Sequence, residues 1–288
     1  MHTPDGFITS WVCVAMILFS LGFLARAVAV VRKSMTKKKM LEMSAAASVI
    51  FALQMLNFPV TNGTSGHFIG AAFSAFLFGP EAALIVLASV IVVQSLVYGD
   101  GGILAIGVNT FNMAVVGVYA AHYARKAGIF AGSVASVIAS ALSAAFFIGI
   151  SGTIKLSLVV PAMLKAHIPI ALGEALITVA AVPLWNALMK SNPDLLSSAK
   201  KAVLFSLALC SFLLIVFVPV ASSSPDGLES VAMQLGFFEK AVSISPSPLA
   251  GYTFMGAAST IAVVASGLVG VLLSFGLSYS MSIGRVKQ

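Results

Sequence analysis

The chain opens MHTPDGF, and the histidine at position two is defined by what its neighbours can do with it. A free α-amine, the amide nitrogen of residue two and Nδ1 of a second-position histidine can close fused five- and six-membered rings on one ion. One further nitrogen then completes four in-plane donors. Square-planar nitrogen ligation favours Ni(II) or Cu(II) and accommodates Co(II). Zinc prefers a tetrahedron and calcium wants oxygen, so both fit poorly. The large second residue also predicts retention of Met1, because methionine removal needs a small residue there.

Of the four histidines, His67 is the one placed to supply the fourth nitrogen. It ends the loop NFPVTNGTSGH (57–67) and begins an apolar helix, at a depth where a neutral imidazole needs a partner. Taken alone, His67 is as readily structural as ligating; His2 on the same face tips the reading towards ligand. His122, beside Tyr119 and Tyr123, reads as a headgroup-level residue, and His167, between Lys165 and Pro169, as a solvated loop residue. Metal-bound histidines usually donate their other N–H to a carboxylate or carbonyl, and Asp5, Asn57, Ser65, Asp100, Asn109 and Asn112 are the candidates for that support. Each has a plainer role open to it: turn chemistry for the two aspartates, interhelical hydrogen bonding for Asn109 and Asn112. Glu174, inside the apolar stretch PIALGEALIT, is either a functional intramembrane carboxylate or a hydrogen-bonded structural one. Pro-Asp-Gly occurs at 4–6 and again at 225–227, as two turns or as a matched docking pair.

These residues sit in a membrane protein. Of 288 residues 59% are hydrophobic and 9% charged, and the mean hydropathy is +1.06, which no soluble domain of this size could bury. The apolar runs are continuous and reach the roughly 20 residues that a helix needs to cross about 30 Å of hydrocarbon. That favours helices over a barrel. The net charge of +7 lies in loops between spans, so a lipid surface explains it and a nucleic-acid partner is not implied. Cys13 and Cys210 fall inside apolar runs and suggest neither a disulfide nor a redox pair. The first apolar run is no signal peptide, because Asp5 precedes it and Arg26, Arg32, Lys33 and Lys37 to Lys39 follow it.

The pattern predicts an all-α polytopic protein of about nine spans, near 9–31, 42–59, 67–79, 81–98, 103–124, 129–151, 169–189, 202–221 and 252–283. The third is too short to cross unaided and is expected to form an internal hairpin with the fourth around Gly79-Pro80. With the N-terminus outside and the C-terminus inside, thirteen of the 16 Lys and Arg fall on the inner face, as the positive-inside rule requires. The N-terminus, the 57–67 loop, YGDGG (98–102) and the 222–252 segment then share the outer face. Residues 1–190 form one body of seven helices. Residues 191–288 form a two-helix appendage carrying an extracytoplasmic loop at 222–251.

MHTPDGF, FPVTNGTSGHFIGAA, FGPEAALIV, QSLVYGDGGILAIGVNTFNM and GEALIT closely resemble the CbiM/NikM family, the metal-binding S components of energy-coupling-factor transporters for cobalt and nickel. SSPDGLE, with a helix on each side, resembles the PDGLE domain of the small partner subunit, here fused to the same chain. The resemblance implies a seven-helix S-component bundle whose metal lies near the outer surface. Its ligands would be the Met1 amine, the His2 amide nitrogen and imidazole, and His67. It also implies a transmembrane T component and ATP-binding-cassette ATPases as partners. The chain itself has no GxxxxGK[ST] loop and is not expected to be an enzyme. The cargo is Ni(II) or Co(II), with the planar nitrogen set leaning to nickel. An intramembrane metalloenzyme would need an open metal position and a base, and no HExxH is present. An autonomous metal carrier using Glu174 would be expected to show inverted repeats, and none is seen.

Overall fold

The computed structural model describes residues 1–244, 247–254 and 259–283; Arg285 and Lys287, counted above on the inner face, lie outside them. The chain is built from helices α1 (Ser10–Val31), α2 (Lys37–Gln54), α3 (Ala71–Phe78), α4 (Pro80–Val93), α5 (Ile106–Asn109), α6 (Val118–Ala124), α7 (Ile129–Ile150), α8 (Leu156–Ser191), α9 (Ala199–Phe217), α10 (Gly227–Gln234) and α11 (Thr260–Ser282). Phe58–Pro59 and Ser65–Gly66 pair as a short antiparallel ribbon. Two stretches widen into π-helix, Gln94–Tyr98 after α4 and Thr110–Gly117 between α5 and α6. Such turns recur at functional sites, and the first of these begins with a residue that touches His2.

Among the described residues, six helical stretches are long and apolar enough to cross a membrane: α1, Pro80–Tyr98, α7, α8, Ala199–Val220 and α11. The other expected segments are helical but differ in kind. The second starts at Lys37, so three lysines and Glu42 occupy its first turns. The third is an eight-residue helix inside the bundle, turned into α4 by Gly79 at φ 82° with Pro80 opening the next helix. That left-handed corner favours glycine. The fifth is divided by the π-helical turns.

Packing follows composition. Ala83 to Ala88 of α4 are fully buried, whereas α1 and α9 leave Trp11, Leu18, Phe212 and Ile215 exposed around the belt. The two C-terminal helices are not a loose appendage. They pack on α2, with Ser48 Oγ donating to the Val271 carbonyl at 3.0 Å. A Cβ at Gly270 would stand 2.0 Å from the Phe51 ring, so glycine is what lets α11 come this close.

Helix α8 corrects the sequence reading most. It starts at Leu156 and runs 36 residues through Pro161, Pro169 and Pro183. At 1.5 Å per residue that is about 54 Å, well beyond about 30 Å of hydrocarbon, so one end stands clear of it. Proline disfavours a helix interior by removing an N–H, which is why the sequence places the start near 169. His167 therefore lies on a helix, 1% exposed, and not in a solvated loop. Within the 222–252 segment, α10 is a further helix, closed by a reciprocal capping box between Asp226 and Glu229 and packed against α8. Its D-x-x-E signature was present in the sequence.

Candidate metal centre

The first residues thread into the outer end of the bundle and are held by their backbone. Thr3 N donates to Asn109 Oδ1 at 2.8 Å, Asn109 Nδ2 donates to Thr3 O at 3.0 Å, and Gly102 N donates to the same carbonyl at 2.9 Å. Asp5 accepts from Ile103 N and Ala105 N, both at 2.9 Å, and its carbonyl accepts from Val242 N. Gly6 at φ 93° lies so close to the Lys240 carbonyl that a Cβ there would stand 1.9 Å from its oxygen. Thus Met1 and His2 are drawn inside, 4% and 8% exposed.

His67 is fixed from the other side. Glu174 accepts from Ile69 N at 2.9 Å and Gly70 N at 3.0 Å, and Gln54 Nε2 donates to Ile69 O at 2.7 Å. His67 Nδ1 faces the Phe68 carbonyl at 3.3 Å, so it carries the proton and Nε2 keeps the lone pair. Nε2 lies 2.9 Å from the Met1 α-amine. The two imidazoles stack with centroids 5.1 Å apart and an interplanar angle of 19°. Burial above all, then the nearby amine, pushes the His67 pKa down to about 3. Burial likewise lowers that of His2. Both rings are neutral at neutral pH, the state that binds metal.

The α-amine and the His2 ring have further partners. The α-amine pairs with Asp226 as well as His67. Burial opposes the Asp226 charge, but the amine outweighs it and holds the carboxyl well below its usual range. His2 Nε2 lies 3.0 Å from Gln94 Oε1, and Nδ1 lies 3.2 Å from Asp100 Oδ1. Gln94 Nε2 donates to the Tyr252 hydroxyl at 3.4 Å, and that hydroxyl donates to Asp100 Oδ2 at 2.5 Å. Burial, then the adjacent Asp100 charge, keep the Tyr252 hydroxyl protonated.

The candidates sort accordingly. Met1, His2 and His67 converge; Asp100 touches His2, and Asn109 anchors Thr3. Asp5 caps the 103–105 turn, and no hydrogen bond or ion pair of Asp5 with His2 or His67 occurs among the described residues. Ser65 donates to the carbonyls of Ser224 and Pro225, and the Asn57 carbonyl accepts from Ser222 N, so both dock the C-terminal segment. Asn112 accepts from Ser143 on α7 at 2.6 Å, an interhelical bond away from the histidines. The sequence reading missed Gln94, Asp226 and Tyr252. It also missed His167, whose Nδ1 bonds the Met163 carbonyl at 2.9 Å and whose Nε2 edge lies beside Gly227, in a small cavity shared with Met1, His67 and Asp226. Among the described residues no three His, Cys, Asp or Glu side chains converge as a metal site.

Residues 2–195 match the CbiM profile, described as the cobalt uptake substrate-specific transmembrane region. The chain belongs to the CbiM family. Residues 200–285 match the PDGLE domain, so the CbiM region is fused to a second one. A protein of Archaeoglobus fulgidus named putative fused nickel transport protein NikMN is 29% identical over 297 residues, 98% of each chain. The cobalt transport protein CbiM of Anoxybacillus flavithermus is 31% identical over 210 residues, 65% of this chain and 82% of that one. The crystal structure of a transition metal transporter superposes with a TM-score of 0.60 at 28% identity, covering 66% of this chain and 94% of the other. This CbiM-family chain is therefore a multi-pass membrane protein of a nickel and cobalt transport family.

Proposed function

We propose that the chain is the substrate-binding S component of an energy-coupling-factor importer. In this reading it takes up Ni(II) or Co(II) through the Met1 amine, the His2 amide nitrogen and Nδ1, and His67 Nε2. Residues 1–190 carry the site and residues 191–288 cover it. A T component and ATP-binding-cassette ATPases supply transport energy, and the chain has no catalytic role. The observation that carries the reading is the 2.9 Å between the α-amine and the bare Nε2 of His67. Donors at right angles around one ion, each at about 2.0–2.1 Å, stand about 2.9 Å apart.

Charge balances through the exchange. The dication enters, one proton leaves the ammonium and one leaves the amide, so the centre facing Asp226 carries the same single positive charge before and after. His2 Nδ1 and Asp100 Oδ1 face each other across 3.2 Å, a gap that a cation relieves. Glu174, the carboxylate an autonomous carrier would use, is already committed to the Ile69 and Gly70 N–H groups. Four nitrogens in a plane favour nickel over cobalt.

The purified, detergent-solubilised chain is expected to hold one nickel ion, displaced by cobalt only in excess and by neither zinc nor calcium. A chain that retains none of these ions after dialysis would overturn the reading. Orientation is tested separately, in a background lacking Cys13 and Cys210. Cysteine at Met233, half exposed on α10, should react with an impermeant reagent in intact cells, and cysteine at Thr36 should not. Reversed labelling would place the site on the inner face.

A further inference from the structure

Lys190 lies in the last turn of α8, and Lys200 and Lys201 lie in the first turn of α9. All three are exposed, and none forms an ion pair among the described residues. Between the two helices lies a groove of about 690 Å³, walled on one side by the 191–195 turn and on the other by Lys201, Leu204, Phe205 and Ala208 of α9. We infer that this groove holds one anionic phospholipid, with its phosphate at the lysines and an acyl chain along α9. The site straddles the junction of the two matched regions, 2–195 and 200–285, and is independent of the metal ligand set.

The sequence of α9 writes the pattern along one face. Positions 201, 204, 205 and 208 recur at i, i+3, i+4 and i+7, so their side chains share a stripe. The first is a cation and the next three are apolar, which is the order of a phospholipid from phosphate to chain. Lys201 to Ala208 spans about 10 Å of helix, enough to pass from headgroup level into hydrocarbon. Leu204 is 56% exposed along this stripe, and Phe205 is held edge-on to Trp185 of α8 with ring centroids 6.3 Å apart. The stretch of α8 from His167 to Ser191 is about 36 Å long, so the groove and the metal centre lie at opposite surfaces of about 30 Å of hydrocarbon.

Charge selects the headgroup. Against three lysines the groove sets only Asp194, so an anion is favoured over a zwitterion. Basic pockets between helices at a membrane surface take anionic headgroups in this way. A lysine can lay its stem along apolar surface while its ammonium reaches the phosphate. A second groove, between α4 and α11, is walled by Val92, Leu96, Leu272 and Leu273 and has no charged residue in its lining. It has room for an acyl chain and no means of choosing a headgroup.

The test uses the full chain in detergent and counts retained lipid by native mass spectrometry. The probes are phosphatidylglycerol and phosphatidylcholine with the same acyl chains, and glycerol phosphate as a headgroup alone. One phosphatidylglycerol should be held at concentrations where the other two are not. Lys190→Gln, Lys200→Gln and Lys201→Gln together should weaken retention about 100-fold, at roughly five-fold for each lysine. Ala208→Trp fills the groove, leaves every charge in place and should also release the lipid. The control is Arg32→Gln, Lys33→Gln and Lys37→Gln together, an equal loss of charge at exposed positions outside the groove, which should retain it. The substituted side chains are all exposed, and unchanged helical circular dichroism shows that the variants fold. Equal retention of phosphatidylcholine would overturn the proposal. So would a control variant as weak as the groove variants, which would mean that overall basicity attracts the lipid. Parent-like retention by Ala208→Trp would show that the chain is not seated along α9, and glycerol phosphate held as well as the lipid would leave only an anion site; either result overturns the assignment.

Discussion

One glycine added ahead of Met1, with every side chain retained, is expected to abolish ATP-driven metal uptake by the assembled transporter. The addition turns the α-amine of Met1 into an amide, so Met1 no longer supplies the free amine of the chelate, and it moves His2 to third place. A third-position histidine closes a chelate from four nitrogens of its own segment and no longer needs His67. The structure adds a steric reason. Met1 is 4% exposed, and its amine sits against His67 and Asp226 in a cavity walled by Ile170, His167 and Gly227. A residue preceding it must push the terminus outwards and leave Asp226 without its cation. A bulky N-terminal tag should be worse, and a C-terminal tag harmless to binding. Any metal still held by the extended chain should be indifferent to His67→Ala. Parent affinity should weaken as pH falls, because two protons must leave for each ion bound. Uptake by the extended chain equal to the parent's would show that the free terminus is not a ligand.

His67→Ala should lose high-affinity binding by more than the roughly 10- to 100-fold that follows loss of a ligand's supporting partner. It should keep its fold. The turn that carries His67 is held by Glu174 on two backbone N–H groups and by Gln54 on the Ile69 carbonyl, and none of these bonds involves the imidazole. His122→Ala is the neutral control, since His122 meets Arg125 at the far surface. His167 is not neutral: it is buried beside Gly227, and its truncation opens space next to the amine. Nickel titration of the three purified variants checks this. Full affinity in His67→Ala would remove the fourth donor.

The parts legible in the sequence were those whose cause is local. Continuous apolar runs mark the helices, and Gly79-Pro80 marks the internal corner. The identity of the partners was not local. Asp226 reaches Met1 across 225 positions, and Tyr252 reaches Asp100 across 152. No periodicity or spacing carries such a pairing. Of the two Pro-Asp-Gly turns, the first behaves as turn chemistry predicts, with Asp5 capping two N–H groups. The second caps α10 in the same way and gives its other oxygen to the terminus. His167 was misplaced because three prolines argue against one continuous helix, and tertiary packing on α7 and α10 overrode them.

The pair between Met1 and Asp226 also sets an order of assembly. Domains of a nascent chain fold from the N-terminal end as synthesis proceeds at about 5–20 residues per second. The Met1 amine leaves the ribosome first, and its counter-ion follows 225 residues later, roughly 10 to 45 s on that scale. Through that interval the histidines have neither Asp226 nor Tyr252 around them. A truncated or wrongly inserted chain never acquires them. The completed cluster therefore requires that translation and insertion run past residue 252, and only chains that complete both bring Asp226 to the Met1 amine and Tyr252 to Asp100.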